Sequence, residues 1–276
     1  MALKRWSPET AARTLKLFCY GDPGAGKTTF CATAVDDPRT SPALWINCGG
    51  NPESLYTRKT LPDILSIEAT KDVTPIYDWI AGGQNLGHPF VKTLNDLGID
   101  PAKMGTPYKS LVLDGITEYQ RICIDEITGN ISKKPGEKLA TVSGFGPWQD
   151  ALQLLTKLAR LFYGLPNIST FITGLETQKT DAQTGFIMYD VMLWGQGRGE
   201  VPAYSLLTMR MTRQSKMDIT TKTAVNKGGE KPYSVGYIDQ VGKFIAKEQY
   251  GGNLAPYYSE PTVTMLMDAI YGKVAA

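Results

Sequence analysis

Short apolar runs alternate with segments of helical periodicity along most of the chain, which predicts strands alternating with helices. The predicted strands span residues 14–20, 43–47, 64–68, 110–114 and 168–175. The predicted helices span residues 28–35, 75–81, 116–128 and 261–271, with another carrying the apolar stripe Trp148, Ala151, Leu152, Leu155, Leu158 and Phe162. This alternation predicts an α/β fold with a mostly parallel sheet covered by helices on both faces.

Two parts of the chain depart from the alternation. Residues 82–107 are rich in Gly, Pro and Asn, and predict an irregular insertion with a short helix at 91–97. After residue 175 the pattern changes to hairpin-like strands, including one at 237–245, separated by polar loops at 177–198 and 214–231. We therefore expect additional hairpin strands toward the C-terminus.

A glycine-rich motif of the form G-x-x-x-x-G-K-[ST] follows the first predicted strand and precedes the first predicted helix. In such a loop, converging backbone N–H groups bind phosphate oxygens, the lysine reaches the β- and γ-phosphates, and the hydroxyl ligates Mg²⁺. The strand before it and the helix after it disfavour the alternative of a chance match in a glycine-rich turn. The predicted nucleotide-binding residues are Gly21, Asp22, Pro23, Gly24, Ala25, Gly26, Lys27, Thr28 and Thr29.

Asp114 ends the apolar strand Ser110-Leu111-Val112-Leu113-Asp114, as the aspartate of a Walker B motif does. Ligands of doubly wound sheets bind at the carboxyl ends of the strands, so this carboxylate and the glycine-rich loop are expected at one edge. There Asp114 would hold Mg²⁺ opposite Thr28. The alternative is a cap for the helix that begins at Ile116, and the two roles are compatible.

Hydrolysis also requires a group that orients or deprotonates the attacking water. Glu118 lies one helical turn beyond Asp114, Glu53 follows the strand at 43–47, and Glu176 follows the strand at 168–175. Each is by default a surface carboxylate. The residues alone therefore support nucleotide binding more firmly than hydrolysis.

Composition narrows the classes of function. The 276 residues carry a formal charge of +2, so overall charge gives no indication of a nucleic-acid partner. A single histidine, His88, disfavours a histidine-based zinc site or a catalytic triad. The four cysteines are far apart in the sequence, which is typical of unpaired thiols in a reducing cytoplasm. We find neither a signal sequence nor a membrane-spanning run. The sequence predicts a cytoplasmic protein without a membrane partner.

The predicted loop at 129–146 carries three lysines, Lys133, Lys134 and Lys138, which we call the loop lysines. Phe145 and Trp148 lie close by in the sequence. Cations that meet phosphates beside aromatic rings that stack on bases suit single-stranded nucleic acid. The alternative is a solvated basic loop with Trp148 in the core of the following helix.

The order of these parts resembles the RecA-like ATPase core, most closely the small phage-encoded RecA/RadA-like ATPases associated with single-strand annealing. The matching motifs are Gly-Asp-Pro-Gly-Ala-Gly-Lys-Thr at 21–28 and Leu-Val-Leu-Asp-Gly-Ile-Thr-Glu at 111–118. The loop at 129–146 and the one after the strand at 168–175 fall where RecA-like recombinases carry their two DNA-binding loops. Residues 244–251, Phe-Ile-Ala-Lys-Glu-Gln-Tyr-Gly, are similar to the A-K-x-R or K-N-R-F-G element of this branch.

The resemblance implies a RecA-like P-loop NTPase fold in a single domain over residues 1–276, with a core at about 14–252 and a C-terminal helical segment at 253–276. It implies ATP and Mg²⁺ as ligands, a homo-oligomer, and single-stranded DNA as partner. A phage-encoded protein would work in the cytoplasm of the bacterial host. Lys247 matches the position from which these proteins send a cation across the subunit interface toward the γ-phosphate.

Three positions depart from the pattern of that family. Family members usually carry a catalytic glutamate at the end of the second strand, whereas Trp45-Ile46-Asn47-Cys48-Gly49-Gly50 offers no acid. The strand at 168–175 lacks the Gln or His sensor at its end, and Gln249 replaces the usual Arg. These departures bear on the rate of hydrolysis and on its coupling to DNA.

The leading interpretation is an ATP-binding and ATP-hydrolysing protein that acts on DNA, in phage-type recombination or single-strand annealing. The second is a nucleotide-dependent assembly or scaffold protein with slow or absent turnover. A third interpretation is a small-molecule kinase, which would share the phosphate loop. Against it, the sequence has no arginine-rich segment that could form a lid.

Overall fold

The apolar runs of the sequence form the buried strands of one mixed sheet. The computed structural model describes residues 13–49, 52–56, 58–130, 144–180, 182, 185–214, 233–239, 244–251 and 253–273. Its strands are β1 (Lys16–Gly21), β2 (Ala43–Asn47), β3 (Asp63–Ser66), β4 (Ser110–Asp114), β5 (Ser169–Thr180), β6 (Ile187–Val191), β7 (Leu207–Gln214), β8 (Tyr233–Tyr237), β9 (Lys247–Glu248) and β10 (Tyr257–Ser259). Its helices are α1 (Lys27–Ala32), α2 (Val73–Ala81), α3 (Phe90–Asp96), α4 (Ile116–Ile127), α5 (Gly146–Tyr163), α6 (Gly197–Tyr204) and α7 (Val263–Tyr271).

The strand order is β10-β8-β7-β1-β5-β4-β2-β3. Neighbouring strands run parallel from β7 to β3, while β8, β9 and β10 pair antiparallel at the other side. The carboxyl ends of β1, β5, β4 and β2 therefore share one edge, which we call the carboxyl edge. The two strands that carry the predicted site, β1 and β4, are separated by β5.

The core has two layers, one on each face of the sheet. Phe18 and Tyr20 of β1 face a cluster that includes buried residues of α2, α4 and α5. Leu17 and Cys19 point to the opposite face, where buried residues of α1 and α7 pack. Successive strand residues point to opposite faces, so the apolar run 17–20 of β1 allows the strand to be covered on both sides.

The predicted α/β class is confirmed as a mostly parallel sheet flanked by helices, with antiparallel strands toward the C-terminus. Helix α5 shows why its sequence forms a helix, because Ala151, Leu155, Leu158 and Phe162 are buried at helical spacing. Its Pro147 lies in the first turn, where a missing N–H is tolerated. The other elements agree with the predicted ones to within a few residues at their ends.

Two expectations about the C-terminal half were wrong. The segment 177–198, predicted to be a polar loop, continues β5 to Thr180 and contains β6 and the start of α6. Residues 176–180 and 187–191 form an antiparallel two-stranded extension, which we call the ribbon. In the described part of the predicted strand at 237–245, β8 ends at Tyr237 and Phe244 forms an isolated bridge to Tyr189, while residues 240–243 lie outside the described residues. Most of the predicted loops at 129–146 and 214–231 lies outside the described residues.

The division into a core at 14–252 and a C-terminal segment at 253–276 stays a prediction. Within the described part of that segment, Val263, Leu266 and Met267 of α7 are buried in the same cluster as β1 and α1. The Val263 N–H also donates to the Thr33 hydroxyl at 2.7 Å, directly after α1. Among the helices of the described ranges, none is long and apolar enough to cross a membrane.

Candidate nucleotide site

The glycine-rich loop connects β1 to α1 at the carboxyl edge, and its glycines meet close steric limits. Gly26 has a φ of 96°, a conformation that L side chains rarely adopt, and a Cβ there would also collide with the Ser234 hydroxyl. A Cβ on Gly21 would collide with the Met211 carbonyl oxygen on β7. The turn therefore closes tightly against the neighbouring strands β7 and β8.

The Lys27 ammonium lies inside the loop. Its Nζ donates to the Gly21 carbonyl at 2.9 Å and to the Asp22 carbonyl at 2.8 Å. Burial lowers the pKa of Lys27, and the negative charge of nearby Asp114 opposes that shift. The loop thus holds a fixed, partly desolvated cation, and both of these bonds go to neutral carbonyl oxygens.

Asp114 meets the glycine-rich loop, as the sequence predicts for residues at one sheet edge. The Thr28 hydroxyl donates to Asp114 Oδ2 at 3.0 Å, joining residues that are 86 positions apart. Burial raises the pKa of Asp114, and hydrogen bonds from Thr173 and Thr28 counteract that rise. A hydroxyl and a carboxylate are hard oxygen donors of the type that Mg²⁺ prefers, so this pair could hold that ion.

Thr173 belongs to the site and was missed by the sequence reasoning, which looked for Gln or His at the end of this strand. It lies on β5 between the two motif strands, and its hydroxyl donates to Asp114 Oδ1 at 2.5 Å. The same hydroxyl accepts the Gly115 N–H at 2.9 Å. The available signal was a hydroxyl residue near the carboxyl end of the predicted strand, although Ser169 and Thr170 of the same strand also carry hydroxyls.

The candidate water-activating carboxylates occupy different environments. Glu118 lies in the first turn of α4 and pairs with Arg121 at 2.6 Å. A Cβ added to Gly49, just after β2, would lie 3.3 Å from the Cβ and Cγ atoms of Glu118. Glu118 therefore flanks the end of β2. Glu53 is exposed on the short 3-10 turn Pro52–Leu55. Glu176 is buried against Arg210, so the expectation of a surface carboxylate was wrong there.

Lys247 is not brought to the loop of its own chain. Lys247 pairs with Thr208 of β7, and Thr208 pairs with Phe18 of β1. Phe18 precedes Gly21 by three residues, so this level of the sheet lies about 10 Å along the strand from the start of the loop. Lys247 Nζ donates to the Ala203 carbonyl at 2.9 Å and the Ser205 carbonyl at 2.6 Å, both before the start of β7. Within one chain, Lys247 therefore points away from the carboxyl edge.

The residues considered for nucleic-acid binding are described only in part. The three loop lysines lie outside the described residues. Phe145 is 91% exposed, whereas Trp148 is half-buried and packs edge-on against Trp194. The ribbon adds exposed Phe186, just before β6, and exposed Met188. The carboxyl side of the molecule thus presents several accessible aromatic or apolar side chains.

Comparison with known proteins gives a family and two similar folds. A family model described as an AAA domain matches residues 13–247. A KaiC-like protein of the archaeon Pyrococcus horikoshii is 14% identical, with a TM-score of 0.38 over 81% of this chain and 86% of that one. A DnaB-like replicative helicase is 11% identical, with a TM-score of 0.45. That match covers 90% of this chain and 55% of the helicase chain. No curated protein matches the chain.

Proposed function

The chain belongs to the AAA-domain family, and from that premise we propose that it is a Mg²⁺-dependent ATPase that acts on single-stranded DNA. Phage-type recombination or single-strand annealing is the process in which we place it. The observation that carries the proposal is the 3.0 Å contact between Thr28 and Asp114. It joins the two motifs of a P-loop ATPase into one oxygen-lined site.

Lys27 is the proposed phosphate-binding cation. Its ammonium donates to two carbonyls of its own loop, and a bound triphosphate would replace these neutral acceptors with charged ones. Charge-assisted hydrogen bonds are roughly twice as strong as neutral ones. The exchange therefore favours the nucleotide-bound arrangement, and the backbone N–H groups of the loop would add to it.

Thr28 and Asp114 would hold Mg²⁺, which when bound neutralises charge on the β- and γ-phosphates. The donor set fits because both side chains present oxygen atoms at one point. Thr173 fixes the Asp114 carboxylate from the other side. Ionised Asp114 is disfavoured by its burial, so a bound cation would supply the compensating charge.

Glu118 is the carboxylate we propose to orient the attacking water. It flanks Gly49 at the end of β2, the strand end at which the sequence has no acid of its own. Its ion pair with Arg121 is partly exposed, with the two side chains 35% and 52% accessible. Exposed pairs of this kind contribute only about 0–1 kcal/mol, so the carboxylate can leave Arg121 at small cost. Glu53 is a second, more exposed candidate.

Single-stranded DNA is proposed as the partner on the carboxyl side. Phe145 and Phe186 are exposed aromatic rings suited to stacking on bases. Lys179 on the ribbon, with a side chain 47% exposed, and the loop lysines would supply contacts to phosphates. The site would be completed by Lys247 of a neighbouring copy in a homo-oligomer, where its cation would neutralise charge that develops during phosphoryl transfer.

A nucleotide-dependent scaffold with little turnover is the second candidate. Two observations favour it: Glu118 is engaged by Arg121, and Lys247 is held by carbonyls of its own chain. The two functions differ in whether DNA accelerates hydrolysis.

The deciding experiment measures phosphate release with Mg²⁺ and ATP, with and without single-stranded DNA, for the parent and for Asp114→Asn. The proposal predicts turnover that DNA stimulates and that Asp114→Asn abolishes. Nucleotide binding without turnover, in the presence or absence of DNA, would support the scaffold instead.

A further inference from the structure

A buried ion pair crosses the end of the strand that leads into the phosphate loop. Arg210 of β7 donates to Glu176 of β5 twice, from Nε at 2.7 Å and from Nη2 at 2.9 Å. The two side chains are only 10% and 1% exposed. Strand β1 lies between β7 and β5, and its Tyr20 is in register with both Arg210 and Gly174. The arginine therefore reaches over Tyr20, the residue directly before the loop.

Glu176 stands at the point where β5 changes its partner. Up to Leu175 the strand pairs with β1, and from Glu176 onward it pairs with β6 to form the ribbon. The ion pair thus fixes the base of the ribbon to the strands that hold the phosphate loop.

Two aromatic rings near the guanidinium group continue this connection. The Arg210 carbon Cζ lies 3.8 Å from the ring centre of Tyr189, on the ribbon, and 5.3 Å from that of Phe244. The next residue, Ile245, is bound through its N–H at 2.9 Å and its carbonyl at 2.7 Å to the Tyr20 hydroxyl. Ribbon, ion pair and phosphate-loop strand therefore form one continuous set of contacts.

The charges place this pair within the electrostatic reach of the nucleotide. Burial lowers the pKa of Lys27, and the negative charges of Asp114 and Glu176 both oppose that shift. A triphosphate on the loop would repel Glu176 and attract Arg210 across a poorly screened interior. Repulsion raises the free energy of the buried carboxylate, and attraction compensates Arg210 when that carboxylate leaves, so both effects lower the cost of opening the pair.

We propose that the Arg210–Glu176 pair couples occupancy of the phosphate loop to the ribbon, so that bound triphosphate loosens the base of the ribbon. Arg210 is a positioning residue in this role, because it acts through Glu176 and Tyr189. The inference rests on the proposed nucleotide site and is independent of the DNA partner. It names the regulation that links that site to the exposed ribbon.

Hydrogen exchange at the amides of residues 176–180 and 187–191 tests the coupling, with and without Mg²⁺ and a non-hydrolysable ATP analogue. The test variant is Glu176→Gln/Arg210→Met, which removes both charges and leaves neither buried alone. Arg210→Lys is the second variant, since it keeps the charge and loses the two-pronged contact. The matched control is Arg39→Lys, because Arg39 also binds a buried carboxylate, Asp37, but lies beside Asp268 of α7.

In the parent and in Arg39→Lys, the analogue should accelerate ribbon exchange about fivefold or more. In both Arg210 variants, calorimetry should still detect bound analogue while ribbon exchange no longer responds to it. Unchanged or slower exchange in the parent with analogue bound would overturn the coupling, as would a parental response in the double variant. A parent that binds no analogue would instead refute the proposed function, and the coupling with it.

Discussion

Replacing Thr173 with valine removes one hydroxyl and almost no volume, so it isolates the contribution of two hydrogen bonds at the centre of the site. The lost bonds are the donation to Asp114 at 2.5 Å and the acceptance of the Gly115 N–H at 2.9 Å. Thr173 is 1% exposed, so water cannot readily replace the hydroxyl. The substitution therefore leaves two polar groups short of a partner.

The expected loss of stability follows from these two groups. A hydrogen bond to a charged group is worth about 1.5–3 kcal/mol, and a buried N–H left without a partner costs about 1–3 kcal/mol. We expect Thr173→Val to lower the free energy of unfolding by roughly 3 kcal/mol. Asp114 would also lose one of its two hydroxyl donors and move from its position, and a displacement of that kind costs about 100-fold in rate.

Thr170→Val is the matched control, because Thr170 lies on the same strand and is also fully buried. Its hydroxyl donates to the Phe162 carbonyl at 3.1 Å and accepts a long 3.4 Å bond from Lys16 Nζ, and neither partner belongs to the site. The neutral bond is worth about 1 kcal/mol, and Lys16 keeps its shorter bonds to two backbone carbonyls. Urea unfolding gives the stability of each variant, and phosphate release with Mg²⁺ and ATP gives the turnover.

Thr170→Val should lose some stability and keep the parent's turnover, whereas Thr173→Val should lose both. If the two variants hydrolysed ATP at the same rate, Thr173 would not position Asp114, and the assignment of the site on β5 would be refuted.

Three further experiments test the remaining assignments. Asp114→Asn should abolish Mg²⁺-dependent turnover, yet raise the free energy of unfolding of the nucleotide-free protein at pH 7, because burial disfavours the ionised carboxyl group. Burial raises the pKa of folded Asp114 above that of the unfolded chain, so the stability of the parent falls as pH rises through the folded pKa. The stability gained with asparagine should therefore vanish under acid conditions, where the carboxyl group is protonated in both states. Alanine at the three loop lysines should weaken single-strand binding and flatten its salt dependence, and an unchanged affinity and slope would exclude that loop. Mixing Lys27→Ala with Lys247→Ala subunits should restore ATPase activity, unless Lys247→Ala alone is fully active as a monomer.

The parallel strands and the phosphate loop could be predicted because their signals are local. Strand β4 is buried at its first four positions, and three of them, Leu111, Val112 and Leu113, form an uninterrupted apolar run. The loop motif is contiguous, and its glycines are required by backbone geometry and close packing.

The ribbon could not be predicted, because it lacks a buried face at its outer end. Residues 178–180 of β5 and Ile187 and Met188 of β6 are exposed, so no apolar alternation marks them as strands. The contacts of Thr173 and Arg210 were hidden for another reason. Their partners lie 59 and 34 residues away, and only the order of the strands in the sheet brings them together.

Calorimetric titration of the parent and of Lys27→Ala with ATP and Mg²⁺ tests the central claim most directly. Lys27 supplies the cation within the loop, and charge-assisted contacts are worth about 1.5–3 kcal/mol each, so affinity should fall roughly tenfold or more. Urea unfolding would establish that the variant is folded. A saturable signal in the parent that is weakened in Lys27→Ala is the predicted result; a folded Lys27→Ala protein with the parent's affinity would contradict the nucleotide site.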